Sequence, residues 1–176
     1  AAETVLLKGM AACHRHYAAA HQRLMGDIDM LVPHRLRSAL EQVLRALGYD
    51  QRSELPAVFY ETHHHSMPFV NDKTGVWVEV HTQLLPSTSP FAQAECFTTD
   101  AIQRSTVPLS LDGVATLALR DELHLLYTCT HWAISLNVDR GLVPLLDAIL
   151  LLREDNDIAW DRIAEWTETS DIGVHL

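Results

Sequence analysis

Apolar positions follow two regimes along this chain. In the first two-thirds, strand-like and helical patterns mix. Thr4–Lys8 is short, apolar and β-compatible and stops at Gly9, and the alanine-rich stretch Met10–Ala20 predicts a helix. Gly26–Val32 predicts a second strand, ended by Pro33. Leu36, Leu40, Val43, Leu44 and Leu47 then recur at helical spacing up to Gly48. Ala57–Thr62 and His65–Val70 read as strands, Asn71–Gly75 as a turn, and Val76–Thr82 as the strongest strand of the chain. Pro86–Pro90 reads as a surface loop and Asp112-Gly113 as the turn of a small hairpin. From Leu119 onward the spacing is helical, over 119–136, 142–153 and 159–168. The predicted class is α/β (α+β): a sheet unit over residues 1–117 and a helical C-terminal region over 118–176.

Composition narrows the function. With 176 residues, 48% hydrophobic and 20% charged, the chain has the means to bury a full core and is not a disordered tail. A net charge of −10 disfavours the basic face of a general nucleic-acid binder. It leaves room for an anionic ligand held through a metal ion, because the cation supplies the positive charge. Cys13, Cys96 and Cys129 form no CxxC pair, which fits reduced thiols in a cytoplasmic protein. No apolar run reaches the roughly 18–20 residues that span a bilayer, and Ala1-Ala2-Glu3-Thr4 has no basic start of a signal peptide.

The unusual feature is Leu24-Met25-Gly26-Asp27-Ile28-Asp29-Met30-Leu31-Val32. Aspartate is depleted in strands, yet two sit inside an apolar one, and the strand period puts Asp27 and Asp29 on the same face. Two readings stand: solvated carboxylates on a loop or edge strand, or ligands of a divalent cation that relieves their repulsion. Asp155-Asn156-Asp157 repeats the spacing in what reads as a helix N-cap cluster. In Val76-Trp77-Val78-Glu79-Val80-His81 the valines take one face, and Trp77, Glu79 and His81 the other. If this strand lies beside the first, three carboxylates converge, an arrangement suited to phosphoryl or nucleotidyl transfer. Lys8-Gly9, where a strand meets a helix, offers backbone amides and a point charge to an anion.

Leu6-Leu7-Lys8-Gly9 and Arg23–Val32, followed by Leu47-Gly48-Tyr49, Val78-Glu79-Val80-His81, His131 and Leu146-Asp147-Ala148, resemble the uncharacterised bacterial nucleotidyltransferase family of the polymerase-beta-like superfamily. The similar nucleotidyltransferase toxins of abortive-infection systems share the order Lys-Gly, helix, Arg, Asp-x-Asp. The resemblance implies a small mixed β-sheet flanked by helices, with a helical C-terminal region. It further implies an Mg²⁺-dependent enzyme that binds a nucleoside triphosphate such as ATP, with two metal ions. Asp27 and Asp29 would ligate the metals holding the nucleotide, and Glu79 would be the third metal-ligating, catalytic carboxylate, helping to activate the acceptor hydroxyl. Lys8, Gly9, Arg23 and Gly26 would contact the nucleotide, and His81 is a candidate substrate contact. Two departures stand out. Met10 follows Gly9 where the superfamily usually has Ser or Gly, and the helical region is short for the family. A non-catalytic relative that binds a nucleotide or a partner protein is therefore the alternative. The acceptor, whether a small molecule, a protein side chain or an RNA end, has no sequence signature.

The eleven histidines need an account. His63-His64-His65 reads as structural or solvent-facing, as a substrate contact, or as a metal site without a fourth ligand at standard spacing. His14 and His16 read as surface residues, and His124 and His131 as core histidines on one helix face. Trp132, Trp160 and Trp166 read as core anchors.

Overall fold

A computed structural model describes residues 3–134, 142–153 and 156–168. Its centre is a seven-stranded mixed sheet in the order β3-β4-β5-β2-β1-β7-β6. The strands are β1 (Val5–Leu6), β2 (Asp27–Leu31), β3 (Asp50–Gln51), β4 (Phe69–Asn71), β5 (Val76–His81), β6 (Thr106–Leu111) and β7 (Val114–Leu119). The helices are α1 (Lys8–Arg15), α2 (His34–Ala46), α3 (Thr99–Arg104), α4 (Asp121–Ile134), α5 (Leu142–Leu151) and α6 (Trp160–Glu168).

Strand periodicity sorts the two faces. Ile28, Met30 and Val76 pack with buried Val32, Val78 and Val80, and Leu36, Leu40 and Leu44 of α2 cover them. Full burial of one such side chain contributes about 1.5–3 kcal/mol over leaving it exposed. α2 ends as its pattern predicts: Tyr49 N donates to Leu44 O and Gly48 N to Arg45 O, the paired bonds of a Schellman cap. The small side chain of Ala11 on α1 meets Leu6 and Ala118 on the same side of the sheet.

The opposite face carries Val5 and Leu31 into the largest core, with Leu119, Leu123, Leu126, Tyr127 and Trp166. That face is apolar at the Leu31 end of β2 and acidic at the Asp27 end. At the far edge, β6 and β7 form the expected hairpin, its turn placing Asp112 and Gly113 at φ 49° and 82°. Both values suit a primed turn and the Asp-Gly pair that makes it.

Several expectations need correction. Ala57–Thr62 is not a strand: Ala57–Glu61 winds as a 3-10 turn after Pro56 and buries only Tyr60. His65–Val70 pairs regularly only from Phe69, with His65 forming a lone bridge to His81. α1 begins at Lys8 and ends at Arg15, before the predicted Ala20. His16 is no surface residue, since its side chain is 3% exposed beside Asp121. Trp166 is buried, but Trp132 and Trp160 are 39% and 58% exposed and are not among the buried core residues. Residues 135–136 of the predicted 119–136 helix and Asp155 lie outside the described residues.

Candidate active site

β2 and β5 run parallel as neighbours, with Asp27 abreast of Trp77, Asp29 of Glu79 and Leu31 of His81. This register turns two separate strand patterns into one cluster, because residues abreast share a face. Asp29, Glu79 and His81 each bring one ligand atom to within 4.8 Å of the others. Asp27, one step along the same face, lies outside that group and lines the adjoining cleft.

β1 lies on the other side of β2, and Leu7 N donates to Asp29 O at 3.0 Å. The next residue, Lys8, turns back at φ 42° and drives Nζ to 2.8 Å from Asp29 Oδ1. A left-handed backbone at a non-glycine residue stores roughly 1–3 kcal/mol, and such strain gathers at functional sites. Here the buried ion pair at the start of α1 is what that strain supports. His81 Nε2 donates to Asp29 Oδ1 at 2.9 Å and lies 3.4 Å from Glu79 Oε2.

Electrostatics follow from this packing. Burial opposes ionisation of Asp29, but the Lys8 charge and the His81 hydrogen bond outweigh it and hold the carboxyl well below its usual range. Glu79 is likewise lowered: burial opposes the charge, while the His81 hydrogen bond and the nearby His65 favour it. Burial works against the imidazolium of His81 too, yet hydrogen bonds to Asp29 and Glu79 raise its pKa above the ordinary value. The cluster is a carboxylate pair held by the Lys8 ammonium and the His81 imidazole.

Beside it lies a cleft of about 350 Å³, walled by Lys8, Gly9, Arg23, Gly26, Asp27 and Asp29 from the sheet unit. Tyr127, Thr128 and His131 of α4 and Val143, Pro144 and Asp147 of α5 close the other side. Burial pushes the Tyr127 hydroxyl up, and that hydroxyl has no hydrogen-bond partner among the described residues. Burial and the Lys8 charge hold His131 down at about 4. Gly9 is required by close approach: a Cβ there would sit 2.5 Å from Arg23 Nη1 and 2.8 Å from Met25 Cγ.

Not every anticipated residue sits as the sequence suggests. Lys8, Gly9, Arg23, Gly26, Asp27 and Asp29 share the cleft, and Glu79 joins through Asp29. His81 is fully buried against the carboxylates and does not line the cleft. Arg23 is committed inside the protein: Nη2 and Nε donate to the Asp147 carboxylate at 2.8 and 3.3 Å, and Nη1 donates to Leu24 O at 2.7 Å. Tyr17 Oη donates to the same carboxylate at 2.7 Å. This internal charge cluster escaped sequence reasoning, although a lone acid within the apolar segment 142–151 was its signal. Nothing local in the sequence marks Tyr127.

Comparison with known proteins bears on this geometry. A family model described as uncharacterised nucleotidyltransferase matches residues 1–175. No curated protein matches. Among solved structures, the solution structure of the antibiotic-resistance factor ANT(2″)-Ia is similar at TM-score 0.55 and 14% identity, over 94% of this chain and 78% of that one. The crystal structure of an antigenic nucleotidyltransferase-like protein from Paracoccidioides brasiliensis is similar at TM-score 0.51 and 15% identity, over 85% of this chain and 66% of that one. At such identities the likeness is one of fold, and it is the fold that the family resemblance implies. With the family model covering nearly its whole length, this chain belongs to the family of uncharacterised nucleotidyltransferases.

Proposed function

We propose that the chain transfers a nucleoside monophosphate from a nucleoside triphosphate, ATP being the first candidate, to an acceptor hydroxyl, in an Mg²⁺-dependent reaction. The acceptor oxygen bonds to the α-phosphorus, the bond from that phosphorus to the bridging oxygen breaks, and pyrophosphate leaves. The observation that carries this reading is the register of β2 on β5, which sets Asp29 abreast of Glu79 beside the cleft that Asp27 lines.

The donor set fits a divalent cation. Two carboxylates have atoms within 4.8 Å of each other, and the Lys8 ammonium 2.8 Å from Asp29 marks the point to which their charge draws a cation. Asp27, Asp29 and Glu79 would hold Mg²⁺, two ions in this reading, and the metal would neutralise the phosphate charge when bound. Glu79, kept ionised by His81, takes the proton of the acceptor hydroxyl. His81 acts through the carboxylates, as a positioning residue. Gly9 and the amides at the start of α1 face the β- and γ-phosphates, and Lys8 reaches a phosphate as a point charge. Gly26 lets the nucleotide approach the backbone before β2. Arg23 serves the nucleotide by bracing Gly9. In this division of labour the sheet unit, 1–117, carries the reacting groups and the helical region, 118–176, the opposite wall. Among the described residues no helix is long and apolar enough to cross a membrane. Free Cys13, Cys96 and Cys129 support a cytoplasmic location.

Calorimetric titration with each of the four nucleoside triphosphates, with and without Mg²⁺, tests the reading. Metal-dependent binding is expected in the wild type and absent in a folded Asp29→Asn variant. A folded wild type that binds none of them refutes it.

A further inference from the structure

The histidine triplet is left unused by this reading. His63, His64 and His65 follow the 3-10 turn Ala57–Glu61 on a bend that folds their rings onto one another. Ring centroids lie 4.2 Å apart for His63 and His64, 4.5 Å for His63 and His65, and 4.7 Å for His64 and His65. In an extended strand His64 would point away from its neighbours. Here all three residues offer ring nitrogens within 4.8 Å of one another.

The bend is anchored. Thr82 N donates to His64 O at 2.9 Å and Ser66 N to Val80 O at 2.8 Å, so the triplet is fastened to the end of β5. His65 Nδ1 lies 2.8 Å from Ser66 O, which selects the Nδ1–H tautomer and leaves the Nε2 lone pair free. That Nε2 is 3.8 Å from Glu79 Oε2. His64 is 8% exposed, and its Nδ1 has no hydrogen-bond partner among the described residues. Unsatisfied buried imidazole nitrogen costs free energy that a bound ligand recovers.

We propose that His63, His64 and His65 form a transition-metal site, suited to Zn²⁺, with Glu79, 3.8 Å from His65 Nε2, offered for a fourth position. Three imidazole nitrogens suit a borderline cation and not Mg²⁺, which demands oxygen ligands. Two nitrogens on one tetrahedral Zn²⁺ stand about 3.3 Å apart, given Zn–N bonds of about 2.0–2.1 Å. From the present spread of up to 4.8 Å, the nitrogens would draw together by about 1.5 Å on a bound ion. The site abuts the carboxylate pair and would share Glu79 with it, while its three nitrogens come from residues that the nucleotidyl-transfer reading does not use.

The test is titration of metal-free protein with Zn²⁺ by calorimetry, and with Co²⁺ as a visible-absorption probe of nitrogen ligation in tetrahedral geometry. The wild type is expected to bind Zn²⁺ stoichiometrically at this site. His63→Gln/His65→Gln is expected to weaken that binding by more than about tenfold, and Asp29→Asn to leave it in place. His63→Gln alone, at a partly exposed ring, keeps the test usable if the double variant fails to fold. Zn²⁺ binding that is absent from the wild type, unchanged in both histidine variants, or lost with Asp29→Asn instead, overturns the proposal. Mg²⁺-dependent nucleotide binding on the same samples reports separately on the transfer site.

Discussion

Replacing Arg23 with methionine separates a bracing role from a phosphate contact. The variant keeps the length of the side chain and removes its charge. It leaves the Asp147 carboxylate, 4% exposed, facing an apolar neighbour in place of a guanidinium 12% exposed. Deleting one partner of a buried ion pair costs about 3–5 kcal/mol, because the surviving charge stays desolvated. Tyr17 Oη still donates to Asp147, so the lower end applies, about 3 kcal/mol. Urea unfolding followed by tryptophan fluorescence measures the loss. Asp147→Leu and the double variant complete a cycle, with a coupling of about 2 kcal/mol expected between the two sites. Arg23→Met losing less than about 1 kcal/mol while nucleotide affinity falls at least about tenfold would refute the reasoning. It would mean that the guanidinium leaves Asp147 for a phosphate.

Gly9→Ala gains about 1 kcal/mol of helix propensity but forces Cβ to 2.5 Å from Arg23 Nη1, a clash of about 1–3 kcal/mol, so a net loss of about 1 kcal/mol is expected in urea. Lys8→Met strands the Asp29 charge beside Glu79; the metal-free variant is expected to melt below the wild type, and added Mg²⁺ to restore more of its Tm than it adds to the wild type. His124 is fully buried, and burial and then the neighbouring His16 lower it to about 4. The unfolded chain takes up a proton near pH 6.5 that the native state refuses until about pH 4, so this residue destabilises the fold as pH falls through that window. His124→Leu is expected to flatten the loss of stability between about pH 7 and 4.5 by about 2 kcal/mol, read from urea midpoints, and an unchanged pH profile would contradict it.

The carboxylates were legible because each acid interrupts a period-two apolar pattern, and a charge inside such a strand needs a partner. Which strand lies beside which was not legible, since the pairing of Asp29 with Glu79 joins residues fifty positions apart through the sheet. Arg23 shows the same limit. Its chemistry suits a phosphate, and only the fold reveals Asp147 of α5 already in place. The stretch Ala57–Thr62 misled for another reason. Val58, Phe59 and Tyr60 carry strand propensity, but Val58 is 64% exposed and, among the described residues, no strand pairs there. Trp160, at the start of α6, is 58% exposed, while Trp166 is buried and Ile163 partly buried against the core.

β2 is the fourth of seven strands, hydrogen-bonded to β1 on one side and β5 on the other. Freeing the whole of β2 therefore means breaking ladders on both flanks, whereas β3 and β6 at the edges are freed by breaking one. Hydrogen exchange along β2 should accordingly track global unfolding, and exchange at the edges local fraying. Asp29 is thus mounted where the strand is gripped from both sides, by the Leu7 amide and by β5, and Asp27 where β5 flanks it.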